Sequence, residues 1–307
     1  MSTGPPAAVE FDSVTKQYDG VTALRNLSLT VQQGEIYGFL GPNGAGKSTS
    51  IGLALDFVRP TNGSVTVLGH DAQAASLQVR ERVGFLSDDF EVYDRLTGRQ
   101  HVSFAIEAKG ADDDPAALLD RVGLEEAADR AAGGYSKGMK QRLGLATALV
   151  GDADLLILDE PSTGLDPNAA REMREIIRAE NERGATVFFS SHILEQVDAI
   201  CDRVGILRSG ELVAEDTVDG LRETVGGDSQ LRLTVDTVPD GLLEAVRNVS
   251  GVSDVSLDAG DVVAVCRPDA RRDVIDAVES TGATVEQFET EEISLEAMFA
   301  AYTEGGA

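Results

Sequence analysis

Positive charge is what this chain has least of. Lys and Arg number 26 against 53 Asp and Glu, a formal net charge of −27, and lysine is reduced to Lys16, Lys47, Lys109, Lys137 and Lys140. Neutralising a nucleic-acid backbone needs a Lys/Arg surface, so no nucleic acid is expected as a partner. At low ionic strength such a chain repels itself. Concentrated salt screens that repulsion to a few ångströms and leaves an acidic surface soluble, so the composition points to a salt-adapted, halophilic source.

Cysteine is almost absent as well. Cys201 and Cys266 lie far apart with no C-x-x-C spacing, which reads as two reduced thiols packed as small hydrophobes, not as a zinc site or a nucleophile. No window approaches the roughly 18 consecutive apolar residues of a membrane span. The N-terminus, Met1-Ser2-Thr3-Gly4-Pro5-Pro6, has neither a basic stretch nor an apolar core. That excludes a signal peptide and reads as a short disordered tail over residues 1–8 of a protein kept in the cytoplasm.

What the chain does have is a phosphate loop. Gly41-Pro42-Asn43-Gly44-Ala45-Gly46-Lys47-Ser48-Thr49 follows the apolar run Ile36-Tyr37-Gly38-Phe39-Leu40 and leads into the helix-like Ser50-Ile51-Gly52-Leu53-Ala54-Leu55. Strand, glycine-rich turn and helix start are the setting in which G-x-x-x-x-G-K-[ST] holds a nucleoside triphosphate. Gly41, Gly44 and Gly46 let the backbone wrap so that successive N–H groups face an anion. The helix start adds partial positive charge, Lys47 is expected to reach the β/γ-phosphates, and the Ser48 hydroxyl to ligand Mg²⁺.

Two further segments fit this site. Leu155-Leu156-Ile157-Leu158-Asp159-Glu160 is a short unbroken apolar run, as expected of a strand buried on both faces. Asp159 at its end is placed to hold Mg²⁺, and Glu160, on the opposite face of a strand-like backbone, to orient or deprotonate a water. Pro161-Ser162-Thr163-Gly164-Leu165-Asp166 follows, and Ser190-Ser191-His192 ends a second buried run, with His192 in reach of a γ-phosphate. Upstream, Gly133-Gly134-Tyr135-Ser136-Lys137-Gly138-Met139-Lys140-Gln141-Arg142 marks a helix start capped by Ser136, read either as a cap alone or as a receptor for phosphate oxygens. His70 and His101 read as satisfied structural histidines.

Along the chain, residues 9–31 alternate apolar and polar as half-buried antiparallel strands do, and residues 95–149 turn helical. Composition breaks at Val225-Gly226-Gly227-Asp228-Ser229. Beyond it the pattern runs strand (231–235), helix (241–249), strand (252–257), strand (262–266), helix (271–280), strand (284–288), which matches a ferredoxin-like split βαβ unit. A last amphipathic segment covers 294–302. The chain is therefore α/β: a P-loop NTPase core with an antiparallel β subdomain and a helical subdomain (about 89–150), together spanning 9–224. A linker (225–229) leads to a small C-terminal α+β domain (230–307).

With these motifs in this order, residues 9–221 resemble the ATP-binding subunit of an ABC transporter. The resemblance makes Gly41–Thr49 the Walker A loop, Ser136-Lys137-Gly138-Met139 the signature motif, Asp159 and Glu160 Walker B with its catalytic glutamate, 162–166 the D-loop and His192 the switch histidine. It makes Tyr18 the aromatic that stacks on adenine. Two positions depart from the family pattern. Tyr135, Lys137 and Met139 replace Leu, Gly and Gln of the usual signature, while Ser136 and Gly138 remain. Asp88 stands at the Q-loop glutamine, a shorter and charged substitute toward Mg²⁺ or water.

The resemblance implies ATP with Mg²⁺, and a homodimer closed head to tail over two ATP molecules. It further implies a separate multi-span permease that holds the subunit at the cytoplasmic face of the membrane. Phe90-Glu91-Val92-Tyr93-Asp94-Arg95-Leu96 reads either as the docking surface for that permease, through exposed aromatics, or as a packed loop. The single ATPase domain, the Ser-Lys-Gly-Met signature and the small C-terminal unit resemble exporter subunits with ABC-2-type partners. An importer subunit and a soluble ABC ATPase are the alternatives; a P-loop kinase or GTPase would lack the signature.

Overall fold

The computed structural model describes residues 6–224, 229–239, 241–258 and 260–291. Most of the expected tail and linker, and the amphipathic segment at 294–302, lie outside the described residues. The chain divides into two compact units, Met1–Val218 and Asp219–Ala307.

In the first unit β1 (Ala7–Tyr18) and β2 (Val21–Gln32) form a hairpin, and β3 (Ile36–Leu40) enters the phosphate loop ahead of α1 (Lys47–Ala54). Then come β4 (Asn62–Val67), β5 (His70–Asp71), α2 (Ser76–Arg82) and β6 (Val83–Leu86). Three helices follow, α3 (Gly98–Lys109), α4 (Pro115–Arg121) and α5 (Lys137–Ala148), within the stretch expected to be helical. The unit continues with β7 (Leu155–Asp159), α6 (Pro167–Glu182), β8 (Thr186–Ser191), α7 (Leu194–Asp198), β9 (Arg203–Arg208) and β10 (Glu211–Thr217).

The central sheet has the order β10-β9-β3-β8-β7-β6, parallel apart from β10. Every residue of β3, β7 and β8 is buried, which is why these strands, apart from the hydroxyl residues at the ends of β8, read as apolar runs and not as alternations. The segments that follow them, 41–46, 160–166 and 192–193, leave the same edge of three adjacent strands, where α/β sheets place their ligands. The antiparallel sheet, β2-β1-β4-β5, turns Val9, Phe11, Val14, Leu27, Leu29 and Val31 onto a core shared with Tyr37, Phe39, Ile51 and Phe188.

Caps set the ends of the helices. Thr97 and Gln100 form a reciprocal capping box at α3, and Gly110 closes that helix in a left-handed conformation. Asp114 caps α4 ahead of Pro115, and Ser136 caps α5. Arg121 on α4 makes a two-pronged ion pair with Glu180 on α6, Nε standing 3.1 Å from Oε1. It joins a helix of the 89–150 segment to one that covers the central sheet.

From Asp219 on, the second unit holds the rest of α8 (Val218–Thr224), then β11 (Ser229–Val235), α9 (Leu242–Arg247), β12 (Val252–Asp258), β13 (Asp261–Cys266), α10 (Arg271–Ser280) and β14 (Val285–Glu291). Its sheet is antiparallel with the order β12-β13-β11-β14. Leu231, Leu233, Val262, Ala264 and Cys266 pack beneath Leu242, Val246, Val274 and Val278 of the helices. Cys201 and Cys266 are both in the thiol form, Cys266 within this core.

Candidate active site

The loop after β3 is shaped by backbone that side chains would obstruct. Gly44 and Gly46 have φ of 81° and 116°, values glycine adopts without penalty. A β-carbon on Gly46 would run into Leu24 and the Ala23 carbonyl. Because α1 begins at Lys47, its first-turn N–H groups have no partner within the helix and form an anion-binding end. They open on a cleft of about 200 Å³ lined by Ala23, Pro42, Asn43, Gly44, Gly46, Lys47, Ser48, Thr49, Asp88, Asp159 and Glu160. Ala45 and Gly41 lie behind it, Ala45 buried and Gly41 accepting a 2.6 Å hydrogen bond from Lys47 Nζ.

Charges of both signs meet in this cleft. Lys47 Nζ lies 3.3 Å from Glu160 Oε1, both side chains nearly fully buried. The other carboxylate oxygen, Oε2, accepts a 2.9 Å bond from the Thr163 hydroxyl and stands 2.8 Å from His192 Nδ1. Oε1 has no hydrogen-bond partner although it is buried, so the ammonium of Lys47 is its compensation. Asp159, at the end of β7, accepts from the Ser190 hydroxyl on β8.

Glu160 departs from the strand-like geometry expected of it. Its φ is +50°, β7 ends one residue earlier, and its N–H turns onto the Ser190 carbonyl at 3.2 Å. A left-handed non-glycine residue is strained. The turn brings the carboxylate to Lys47 and His192 instead of leaving it on the far face of the sheet.

Asp88 is brought into the cleft. Burial and the nearby Asp159 and Glu160 carboxylates raise its pKa above the ordinary value, with Lys137 opposing them. Ser136 and Gly138 do not line the cleft. Ser136 Oγ accepts the Met139 N–H at 3.2 Å, and Gly138 faces Ala169 at the start of α6. Tyr18, at the β1–β2 turn, is also outside the lining; it is 42% exposed, with Lys16 Nζ 4.5 Å from its ring centroid.

Of the two aromatics in the segment after Asp88, which reads either as a docking surface or as a packed loop, Tyr93 is exposed. Phe90 is not: it is half-buried, its ring laid over Gly144 of α5, where the missing side chain leaves room. His101 is a satisfied structural residue, Nδ1 on the Thr97 carbonyl at 2.8 Å and Nε2 accepting the Tyr93 N–H at 2.9 Å. Thr163 and Gln196, which accepts the Ser162 hydroxyl at 2.6 Å, were not singled out by the sequence. Their roles come from tertiary approach, and no spacing encodes them.

The donors present suit Mg²⁺ shared with a nucleotide. Among the described residues no three His, Cys, Asp or Glu side chains gather as a metal site of their own. Mg²⁺ characteristically takes one or two carboxylates and completes its octahedron with phosphate oxygens and water. Ser48 and Asp159 on one cleft offer that partial set of hard oxygen donors.

Residues 24–163 match the family model described as ABC transporter. The linearmycin resistance ATP-binding protein LnrL of Bacillus subtilis is 34% identical over 254 residues, covering 81% of this chain and 82% of that protein. The daunorubicin/doxorubicin resistance ATP-binding protein DrrA of Streptomyces peucetius is 34% identical, covering 99% and 94%. The Nod factor export ATP-binding protein I of Burkholderia lata is 39% identical, covering 72% and 74%. A dimeric ATP-binding cassette solved in a post-hydrolysis state with ADP and phosphate superposes with a TM-score of 0.63 at 25% identity, over 68% of this chain and 98% of that one. With the motif geometry and these relatives in hand, the chain belongs to the ABC transporter ATP-binding proteins, the ATPase subunits of that family.

Proposed function

We propose that the chain binds and hydrolyses ATP as a peripheral subunit at the cytoplasmic face of the membrane, energising a separate multi-span permease that exports its substrate. The observation that carries this reading is a divided site. Lys47, Ser48, Asp88, Asp159 and Glu160 share one cleft, with His192 bonded to Glu160, while Ser136 and Gly138 stand elsewhere on the same chain. A second copy, turned head to tail, would bring its Ser136 and Gly138 over the nucleotide and complete each site.

The chemistry assigns each group a task. The loop N–H groups and Lys47 hold the β- and γ-phosphates, and Tyr18 stacks on adenine. Ser48 and Asp159 would hold Mg²⁺, which offsets phosphate charge, and Asp88 would take part through water. Glu160 accepts the proton of the attacking water as the bond between the γ-phosphorus and its bridging oxygen breaks, giving ADP and phosphate. His192 holds Glu160 and reaches the γ-phosphate. Glu160 pairs with Lys47, so the carboxylate and the phosphates draw on the same ammonium.

Export is supported by the names of the relatives, one for export and two for drug resistance. Among the described residues no helix is long and apolar enough to cross a membrane, which fits a separate permease. Exposed Tyr93 is the permease contact in this reading, the small C-terminal unit a ferredoxin-like accessory domain, and the −27 charge an adaptation to a salt-rich cytoplasm. Purification in high KCl from gently solubilised native membranes tests the whole. A stoichiometric polytopic membrane protein is expected to accompany the chain. A soluble partner or ribosomes, with no membrane protein, would overturn the transport reading.

A further inference from the structure

Lys137 has no task in this scheme, yet it sits between two of its parts. It is the first residue of α5, and its ammonium rests on Gly164 of the loop after β7, where any β-carbon would collide with Nζ. Gly164 is left-handed, φ 68°, a conformation that glycine adopts without penalty. The charge of Lys137 also lowers the pKa of Asp88, against the burial and the carboxylates that raise it. A cation in the first turn of a helix opposes the helix dipole, and α5 has no acidic residue in that turn to offset it. The exposed Lys137 side chain lies instead along the loop after β7, at Gly164.

That loop is tied to Glu160. Thr163, next to Gly164, donates its hydroxyl to Glu160 Oε2 at 2.9 Å and its N–H to the Glu160 carbonyl at 3.1 Å. Glu160 in turn faces Lys47 and His192. The ammonium of Lys137 is therefore one residue away from the hydroxyl that orients the proposed catalytic carboxylate.

We propose that Lys137 is a positioning residue for hydrolysis: by holding Gly164 it keeps the Thr163 hydroxyl on Glu160, tying the start of the signature helix to the group that acts on water. This rests on the role given to Glu160 above. A residue acting through another should lower turnover without weakening nucleotide binding, and should share its effect with the residue it acts through.

The test is steady-state ATPase kinetics on the full chain for Lys137→Met, Lys137→Arg, Thr163→Val and the Lys137→Met/Thr163→Val pair, alongside binding of a fluorescent ATP analogue. Lys137→Met is expected to lower kcat about tenfold with KM and analogue affinity within twofold, and Lys137→Arg to keep at least half of wild-type turnover. The double variant should be no slower than the slower single one. Turnover within twofold of wild type in Lys137→Met, losses that multiply in the double variant, or a loss that falls on KM would each overturn the proposal. Glu160→Gln serves as the control: if it turns over normally, the reading of the site fails. If it is inactive while Lys137→Met is normal, only the proposal fails.

Discussion

Lys47 and Glu160, 113 positions apart in sequence, meet at 3.3 Å, both nearly closed off from solvent. The residue that is to hold phosphate is thus paired with the residue that is to accept a proton from water. Nucleotide and Glu160 compete for the same ammonium. Removing the competing charge should strengthen binding even of ADP, which cannot be hydrolysed at a γ-phosphate. Glu160→Gln is expected to bind ADP about tenfold more tightly, as about 1.4 kcal/mol of lost pairing would give. Calorimetric titration checks this, and unchanged or weaker binding would show that the pair does not oppose the nucleotide.

Asp88 carries a pH signature. Burial first, then Asp159 and Glu160, raise its pKa, so the folded chain favours its neutral form. For a carboxyl raised on folding the penalty is absent below the ordinary pKa and fully present above the raised one. Asp88→Asn should therefore raise the melting temperature of the nucleotide-free chain at pH 7, by about a degree given the group's exposure. The gain should vanish as pH falls toward the ordinary carboxylate range. A gain independent of pH would place its cause elsewhere.

The Arg121–Glu180 pair makes a mechanical prediction. Glu180 is 3% exposed and its partner 16%, so Arg121→Ala leaves a buried carboxylate uncompensated. The expected cost is about 3 kcal/mol, a fall in melting temperature of roughly 6–10 °C. Replacing both by apolar residues, Arg121→Met with Glu180→Leu, should recover much of it, because the stranded charge is then gone. If the double variant melts as low as the single one, packing and not charge is what the pair supplies.

The acidic composition predicts a salt requirement. Raising KCl from about 0.1 M to 2 M shortens the screening length from about 10 Å to under 3 Å. Self-repulsion at a net charge of −27 should then fall, and the melting temperature rise by roughly 10 °C. Full stability and ATPase activity without added KCl would remove the salt-adapted reading.

What could be read in the sequence was local. Gly41–Thr49 announces itself because glycine spacing and a helix start are set by neighbouring residues, and β7 and the Val187–Phe189 centre of β8 because strands buried on both faces are apolar. The Ser136 cap followed from one hydroxyl at a helix start. What escaped depended on tertiary approach. A strand-like alternation puts Glu160 on the far face of the sheet, but a left-handed turn bonded to Ser190 carries it to Lys47. The sequence leaves Phe90 open between an exposed docking aromatic and a packed loop, because nothing near it reveals that Gly144, 54 residues on, offers a bare surface. Likewise nothing in Lys137 tells that it reaches Gly164.

The divided site is the central claim, and light scattering on Glu160→Gln with and without Mg-ATP tests it most directly. The variant should hold ATP without cleaving it, so the closed pair should accumulate. Its mass is expected to double from one chain to two on adding Mg-ATP, and Ser136→Glu in the same chain to abolish the doubling while ATP still binds. A chain that stays single with ATP bound, or that pairs regardless of Ser136, would contradict the account.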